Sequence, residues 1–264
     1  MVQRYETLTL DVRDKVATLC LNRPDQANAL TPQMSHDLFQ AALVCQADPA
    51  IRAVILTARG TLFCGGGDLK AFQSCGAELP KVLLETATLL HNAVSVLNRM
   101  DAPVVVAVNG TAGGAGLSLV CAGDLALACE SAKFTLAYTA AGLTPDGSST
   151  YFLAKHIGLR RAKEMALTNR VLSAAEALDW GLINQVTSAA DLLPEAQRLA
   201  ARLAAGPTQA FGVAKRLLLD GASAALESQM EAEARGISAI ATTQDARQGI
   251  QAFLNKEKPT FTGT

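Results

Sequence analysis

The chain has 264 residues, half of them hydrophobic, 18% charged and 5% aromatic, with 23 Lys and Arg against 24 Asp and Glu for a net charge of −1. That length supports one large or two small domains with a sizeable core, and the high apolar content with near-zero net charge excludes a disordered chain. There is no basic surplus to hold nucleic acid or an anionic membrane.

A bilayer span needs about 20 consecutive apolar residues. The run Ala102 to Val108 stops at Asn109-Gly110, and the run Leu117 to Ala128 contains Asp124. The start, Met1-Val2-Gln3-Arg4-Tyr5-Glu6, lacks the basic segment and apolar stretch of an export signal. The expectation is a soluble, cytoplasmic protein. Its six cysteines form no CxxC pair, so reduced, buried thiols are expected rather than a disulfide framework. His36, His91 and His156 lie far apart in no ligand spacing, and no metal site is expected.

In chain order, Leu8, Leu10 and Val12 alternate with polar residues, Asp14 marks a turn, and Val16 to Leu21 resumes, which predicts a hairpin. Thr31-Pro32 offers a hydroxyl cap and a proline at the first helical position, opening a helix to about Cys45. Ile51 to Thr57 predicts a strand. Leu83, Leu84, Leu89, Leu90, Val94 and Leu97 recur at helical spacing and predict a helix from about Lys81 to Met100. Val104 to Val108 predicts a buried strand, followed by a glycine-rich loop over 109–116, a helical segment, and another strand over Asp124 to Ala128. This alternation implies parallel pairing with helical crossovers. From Ser149 onward the pattern is almost wholly helical. Ser173-Ala174-Ala175-Glu176 matches a capping box, and further helices are expected near 190–205, 207–220, 222–241 and 244–255.

Two glycine-rich turns stand out, Phe63-Cys64-Gly65-Gly66-Gly67-Asp68-Leu69 and the 109–116 loop. Each places bare backbone where N–H groups can point at a ligand oxygen, and the second also opens a helix. Two such turns could aim two donors at one carbonyl oxygen; glycine there could equally serve tight turns and close packing. There is no GxxxxGK[ST] loop, no GxGxxG and no GxSxG elbow. Asp146, within Gly142-Leu143-Thr144-Pro145-Asp146-Gly147-Ser148-Ser149-Thr150, sits among apolar residues. It is a candidate general base or nucleophile, and Pro-Asp-Gly is also ordinary turn chemistry.

Several segments together resemble the crotonase superfamily, the enoyl-CoA hydratase/isomerase family. Phe63 to Leu69 resembles its F-x-x-G-x-D-[LI] motif. Leu21-Asn22-Arg23-Pro24 with Asn28-Ala29-Leu30 resembles its N-terminal signature. Pro103 to Gly116 resembles its P-V-x-A-x-[NV]-G-x-A-x-G-x-G segment, and Leu167-Thr168 with Ala174 to Val186 resembles its L-T-x(5)-A-x-x-A-x-x-x-G-[LI]-[IV] stretch. The tail from Phe253 to Gly263 is similar to the family's ending. The match runs through nearly the whole chain in order.

The resemblance implies an α/β fold, a crotonase-like spiral of ββα units over 1–190 that binds acyl-CoA. A C-terminal helical trimerisation region would span 191–264, with trimers or dimers of trimers as the assembly. It implies an acyl-CoA thioester as substrate, with coenzyme A part of that substrate and no separate cofactor. Carried over residue by residue, the oxyanion-hole amides fall on Gly67 and Ala115, with Gly114 as the neighbouring candidate. Coenzyme A contacts are expected around Ala27, Asn28, Gly65 and Lys256, with Asp68, Leu69 and Pro145 as further substrate-binding positions.

The two glutamates of a typical hydratase fall on Ser118 and Tyr138, neither of which can do a carboxylate's acid–base work. Asp146 falls where 1,2-epoxyphenylacetyl-CoA isomerase and related enoyl-CoA isomerases use an aspartate to move a proton. The same position holds the nucleophile of 4-chlorobenzoyl-CoA dehalogenase, whose histidine and tryptophan fall on His91 and Tyr138. The expectation is an isomerase acting on an enoyl- or aryl-acetyl-CoA through Asp146, with Tyr138 and His91 as candidate participants or pocket walls. Water addition without glutamates, a dehalogenase-like hydrolase and a non-catalytic acyl-CoA-binding protein are the alternatives.

Overall fold

A computed structural model describes residues 2–264, the side chain of Val2 excepted. Strands β1 (Val2–Arg4), β2 (Leu8–Arg13) and β3 (Val16–Leu21) are antiparallel neighbours. Asp14 and Lys15 link β2 to β3 with φ of 48° and 68°, the left-handed pair that a two-residue hairpin turn needs. Helix α1 (Pro32–Ala47) starts as its sequence predicts, with the Thr31 hydroxyl accepting from the Met34 amide at 3.2 Å.

Strand β4 (Ala53–Ala58) returns to the sheet parallel to β3, and β5 (Leu62–Cys64) leaves it for a second sheet. The short α2 (Leu69–Gln73) precedes the long α3 (Leu79–Arg99). Then come β6 (Val104–Val108), β7 (Thr111–Gly113), α4 (Ala115–Ala122), β8 (Leu125–Cys129) and β9 (Lys133–Thr135). Strands alternate between the sheets in this stretch, with β6 and β8 in the large one and β7 and β9 in the small one.

Helices α5 (Ser149–Ile157) and α6 (Leu159–Thr168) follow, then β10 (Leu172–Ser173), α7 (Ala174–Asp179) and β11 (Gln185–Thr187). The chain ends in α8 (Leu192–Ala204), α9 (Thr208–Gly221), α10 (Leu226–Ile240) and α11 (Gln244–Asn255). The large sheet runs β1-β2-β3-β4-β6-β8-β11 and the small one β10-β9-β7-β5.

Three stretches depart from the sequence pattern. Phe63 and Cys64, at the start of the first glycine-rich turn, lie in strand β5, and Thr111–Gly113 of the 109–116 loop is strand β7, the two strands pairing in parallel. The region after Ser149 is not wholly helical: β10 pairs with β9, and β11 pairs with β8. Strands of two or three residues are too short to show a period of two, so only their tertiary pairing defines them.

Strands β4 and β6 are buried over their whole length, as expected for parallel strands covered on both faces. One continuous core joins them to α1, α3, α4 and α8. Helix α9 is tied to it by Lys215, whose ammonium meets Asp124 at 2.7 Å. Burial pushes the Asp124 carboxyl up and the Lys215 ammonium down, against the attraction between them. The capping box at α7 forms with both of its bonds.

Six free cysteines are present, with Cys45, Cys64, Cys121 and Cys129 buried. Burial pushes the thiols of Cys45, Cys64 and Cys121 up to about 12, so they stay protonated. Among the described residues no helix is long and apolar enough to cross a membrane.

Candidate active site

The small sheet builds the site. Strands β5, β7 and β9 run parallel, so their C-terminal ends open on the same edge, where α/β sheets place ligands. The chain leaving β5 is Gly65-Gly66-Gly67, that leaving β7 is Gly114-Ala115, and that leaving β9 is Leu136-Ala137-Tyr138. These segments, with α2, α3 and the Asp146 turn before α5, surround a cavity of about 350 Å³.

The two glycine turns meet backbone to backbone. Gly114 has φ 52° and ψ −124°, a conformation reserved for glycine, and a Cβ there would stand 3.2 Å from Gly66 Cα. A peptide bridge to Leu30 locks the first turn: the Leu30 amide donates to the Gly66 carbonyl at 2.7 Å, and the Asp68 amide donates to the Leu30 carbonyl at 2.9 Å. Those bonds engage the groups on either side of Gly67 and turn its own N–H away from Leu30. Ala115 is the first residue of α4, so its N–H is one of the donors a helix leaves unbonded. Neither amide has an acceptor among the described residues. Both residues line the cavity, and the start of α4 adds a positive dipole end there.

The same cavity is lined by Asp146, the one carboxylate there among the described residues. The Tyr138 hydroxyl donates to its Oδ1 at 2.5 Å and lies 3.1 Å from the Ser118 hydroxyl. Ser118 Oγ in turn donates to the Asp146 carbonyl at 2.9 Å. The Asp146 Oδ2 atom has no hydrogen-bond partner among the described residues. Burial raises the Tyr138 phenol far above its ordinary range, and the neighbouring Asp146 charge raises it further. Tyr138 therefore keeps its proton and acts as a donor to the carboxylate.

Ser118 is fully buried, and Gly147 packs so closely on its Cβ that an added Cβ at Gly147 would lie 2.7 Å from it. The two positions matched to hydratase glutamates thus hold hydroxyls wired to Asp146.

The fold brings Gly65, Gly67, Leu69, Gly114, Ala115, Tyr138 and Asp146 to one cavity. It does not bring the other candidates there. Asn28 is fully buried and its side chain is spent on the backbone: Oδ1 accepts from the Arg23 amide, and Nδ2 donates to the Arg59 and Leu62 carbonyls. Ala27 lies beside Gly65, its carbonyl accepting from the Gly65 amide. Asp68 caps α2 through the Ala71 amide and pairs with Arg23 at 3.0 Å. Burial works to raise its carboxyl, yet the Ala71 bond and Arg23 together hold it below the usual carboxylate range.

Pro145 and His91 line a different cavity, behind the Asp146 turn. Lys256 is exposed at the C-terminal cap of α11. The Leu/Ala-rich helical region near 79–97, which points to an apolar pocket, supplies Leu83, Leu84 and Leu90 to a wall of the cavity that Leu30, Phe72 and Leu143 complete. The six come from distant segments that only the fold brings together. Leu84 is 70% exposed at this wall.

The profile of the enoyl-CoA hydratase/isomerase family matches residues 11–264. The chain belongs to that family of acyl-CoA enzymes. It is 38% identical over 259 residues to the "Probable enoyl-CoA hydratase" of Rhodobacter capsulatus, covering 98% of this chain and 99% of that one. Identity to 1,2-epoxyphenylacetyl-CoA isomerase of Escherichia coli is 35%, with the same coverage. Identity to 4-chlorobenzoyl coenzyme A dehalogenase-2 of an Arthrobacter species is 33%, covering 95% of this chain and 91% of that one. The crystal structure of an enoyl-CoA hydratase from Polaromonas sp. JS666 superposes with a TM-score of 0.92 at 32% identity, covering 97% of this chain and 99% of its own. The fold is the crotonase fold of these neighbours.

Proposed function

We propose that the protein is an acyl-CoA isomerase that moves a proton along an enoyl- or aryl-acetyl-CoA thioester, with Asp146 as the shuttling base. The observation that carries this is a single cavity carboxylate, tethered at Oδ1 by Tyr138 and unbonded at Oδ2, facing a cavity that also holds two amides without acceptors. The thioester oxygen accepts from Gly67 and Ala115. Oδ2 of Asp146 removes a proton from the carbon beside the carbonyl, or from its vinylogous position. The electron pair moves onto the thioester oxygen, where the two amides stabilise the enolate. The same carboxyl, now protonated, returns the proton two carbons away.

One base serves both steps, and no second carboxylate is needed. The apolar wall of Leu30, Phe72, Leu83, Leu84, Leu90 and Leu143 fits an aliphatic or aryl acyl group and keeps water from the enolate. Water addition is disfavoured because Ser118 and Tyr138 bond to each other and to Asp146, so neither is a base for water.

Self-association belongs to the same reading. Helix α10 buries none of its residues, and Leu226, Met230, Ile237, Ile250 and Phe253 are exposed on α10 and α11. Light scattering with size exclusion measures it directly, a trimer or hexamer being the expected result.

The test of the chemistry is proton NMR in D2O with 3-enoyl-, 2-enoyl- and phenylacetyl-type thioesters. Wild type incorporates deuterium beside the carbonyl or migrates the double bond. Asp146→Asn lowers that rate by about 1000-fold or more while acyl-CoA binding persists, as expected when a base within an oxyanion-hole site is removed. An Asp146→Asn variant that exchanges at the wild-type rate defeats the proposal. A 3-hydroxyacyl product identifies a hydratase, and a covalent aryl adduct on Asp146, formed from a 4-halobenzoyl thioester as halide leaves, identifies the nucleophilic route. Binding without turnover of any thioester identifies a binding protein.

A further inference from the structure

The Asp146 turn is a partition between two cavities. In front lies the acyl cavity; behind lies a more open one of about 560 Å³, to which Asp146, Pro145, Ser148 and His91 all contribute. His91 is absent from the acyl wall. Its Nε2 accepts the Gly147 N–H at 3.0 Å. A ring nitrogen that accepts carries no proton, which assigns the proton of neutral His91 to Nδ1.

We propose that His91 is a positioning residue: it holds the Asp146 turn from behind so that the carboxylate faces the acyl cavity, and it takes no proton from substrate or water. This inference rests on the reading of Asp146 as the base.

The turn needs such a hold. Gly147 and Ser148 adopt φ of 60° and 70° in succession, and a left-handed serine persists only where its surroundings impose it. The pins come from several elements. Ser118 of α4 and Ser149 of α5 donate to the Asp146 carbonyl at 2.9 and 2.8 Å. Tyr138 holds the carboxylate, and α3 supplies the last pin through the Gly147 amide.

Gly147 is buried, and its N–H has no other acceptor among the described residues. The neighbouring Leu90 of α3 also packs there, 3.0 Å from where a Gly147 Cβ would stand. Two successive residues of α3 thus fix the turn, one by packing and one by a hydrogen bond. The same commitment argues against His91 as a base for an attacking water. Its one unprotonated nitrogen is already used, and the other carries a proton.

Wild type, His91→Leu, His91→Gln and Asp146→Asn are compared by deuterium exchange into the thioester, with acyl-CoA affinity measured for each. His91→Leu is expected to lower kcat about 10- to 100-fold with KM within about twofold, because a displaced base loses rate and not substrate affinity. Gln offers an amide oxygen to the Gly147 N–H, so His91→Gln is expected to recover to within about threefold of wild type.

Long-range proton–nitrogen NMR of the His91 ring gives a readout that needs no turnover, and a proton on Nδ1 is expected. His91→Gln as inactive as Asp146→Asn shows that the imidazole does chemistry and overturns the proposal. So does His91→Leu with wild-type kcat, or a ring protonated on Nε2. Full exchange by Asp146→Asn removes the base reading on which the proposal rests, whereas the ring tautomer still decides separately whether the hydrogen bond exists.

Discussion

In the large sheet, β4 and β6 are buried end to end and β2 and β3 pair over six residues. In the small sheet no strand exceeds three residues, and glycines follow β5 and end β7. The first sheet gains its stability from apolar area, roughly 1.5–3 kcal/mol for each large side chain withdrawn from water. The second is shorter but also buries Phe63, Phe134 and Leu172 completely, and its parallel strands set two amides and Tyr138 on one edge. The lesson is a partial division of labour within one fold: the long strands supply most of the paired and buried length, and the short ones, anchored by Phe63 and Phe134, add aim.

The comparison breaks if damage to one sheet produces the symptoms of the other. Leu19, fully buried in β3, is the strongest test of the large sheet. Leu19→Ala is expected to cost about 3 kcal/mol of folding free energy in urea unfolding, with the exchange rate per folded molecule unchanged. A rate loss with no stability loss would show that the sheets are not separable.

On the small sheet the expected symptom is reversed. Gly114→Ala forces a side chain into a glycine-only conformation, 3.2 Å from Gly66. It should displace the Ala115 amide and lower kcat about 100-fold, the usual effect of losing one oxyanion donor, with a smaller change in unfolding. Tyr138→Phe removes the hydroxyl from Asp146 Oδ1 and leaves the amides in place, and about a 10-fold loss of kcat is expected from losing one charge-assisted tether.

The alkaline limb gives the smallest and most specific signal. The folded-state pKa of Tyr138 is raised above its unfolded value, chiefly by burial and then by the Asp146 charge. Its contribution is therefore fully present below the ordinary tyrosine range and is lost as pH rises beyond it. Unfolding measured between pH 8 and 11 should show a steeper alkaline loss for wild type than for Tyr138→Phe. Tyr5, raised first by burial, acts in the same direction in both proteins. Equal slopes would mean that Tyr138 is not buried against Asp146.

Much of the large sheet could be read residue by residue. The hairpin over Leu8–Leu21, the capped start of α1, the strand Val104–Val108 and the capping box of α7 all have local causes: alternation, a hydroxyl cap, an apolar run, a reciprocal pair of side chains. The two glycine turns and Asp146 already stood out as candidates from their residues, and the resemblance to a known family narrowed the turns to Gly67 and Ala115. Their glycines and Pro-Asp-Gly spacing alone left turn and catalytic roles open.

The sequence alone therefore carries the strands and helices whose cause is local, and the identity of one acid in an apolar stretch. Which partners those residues meet is decided only by the folded structure. It spends Asn28 and Asp68 on the backbone and on Arg23, turns His91 away from the cavity onto the Gly147 amide, and joins Ser118 and Tyr138 to Asp146. Each of those pairings links residues from separate segments. A hydrogen bond depends on distance and direction in space, which neighbouring letters in a chain do not encode.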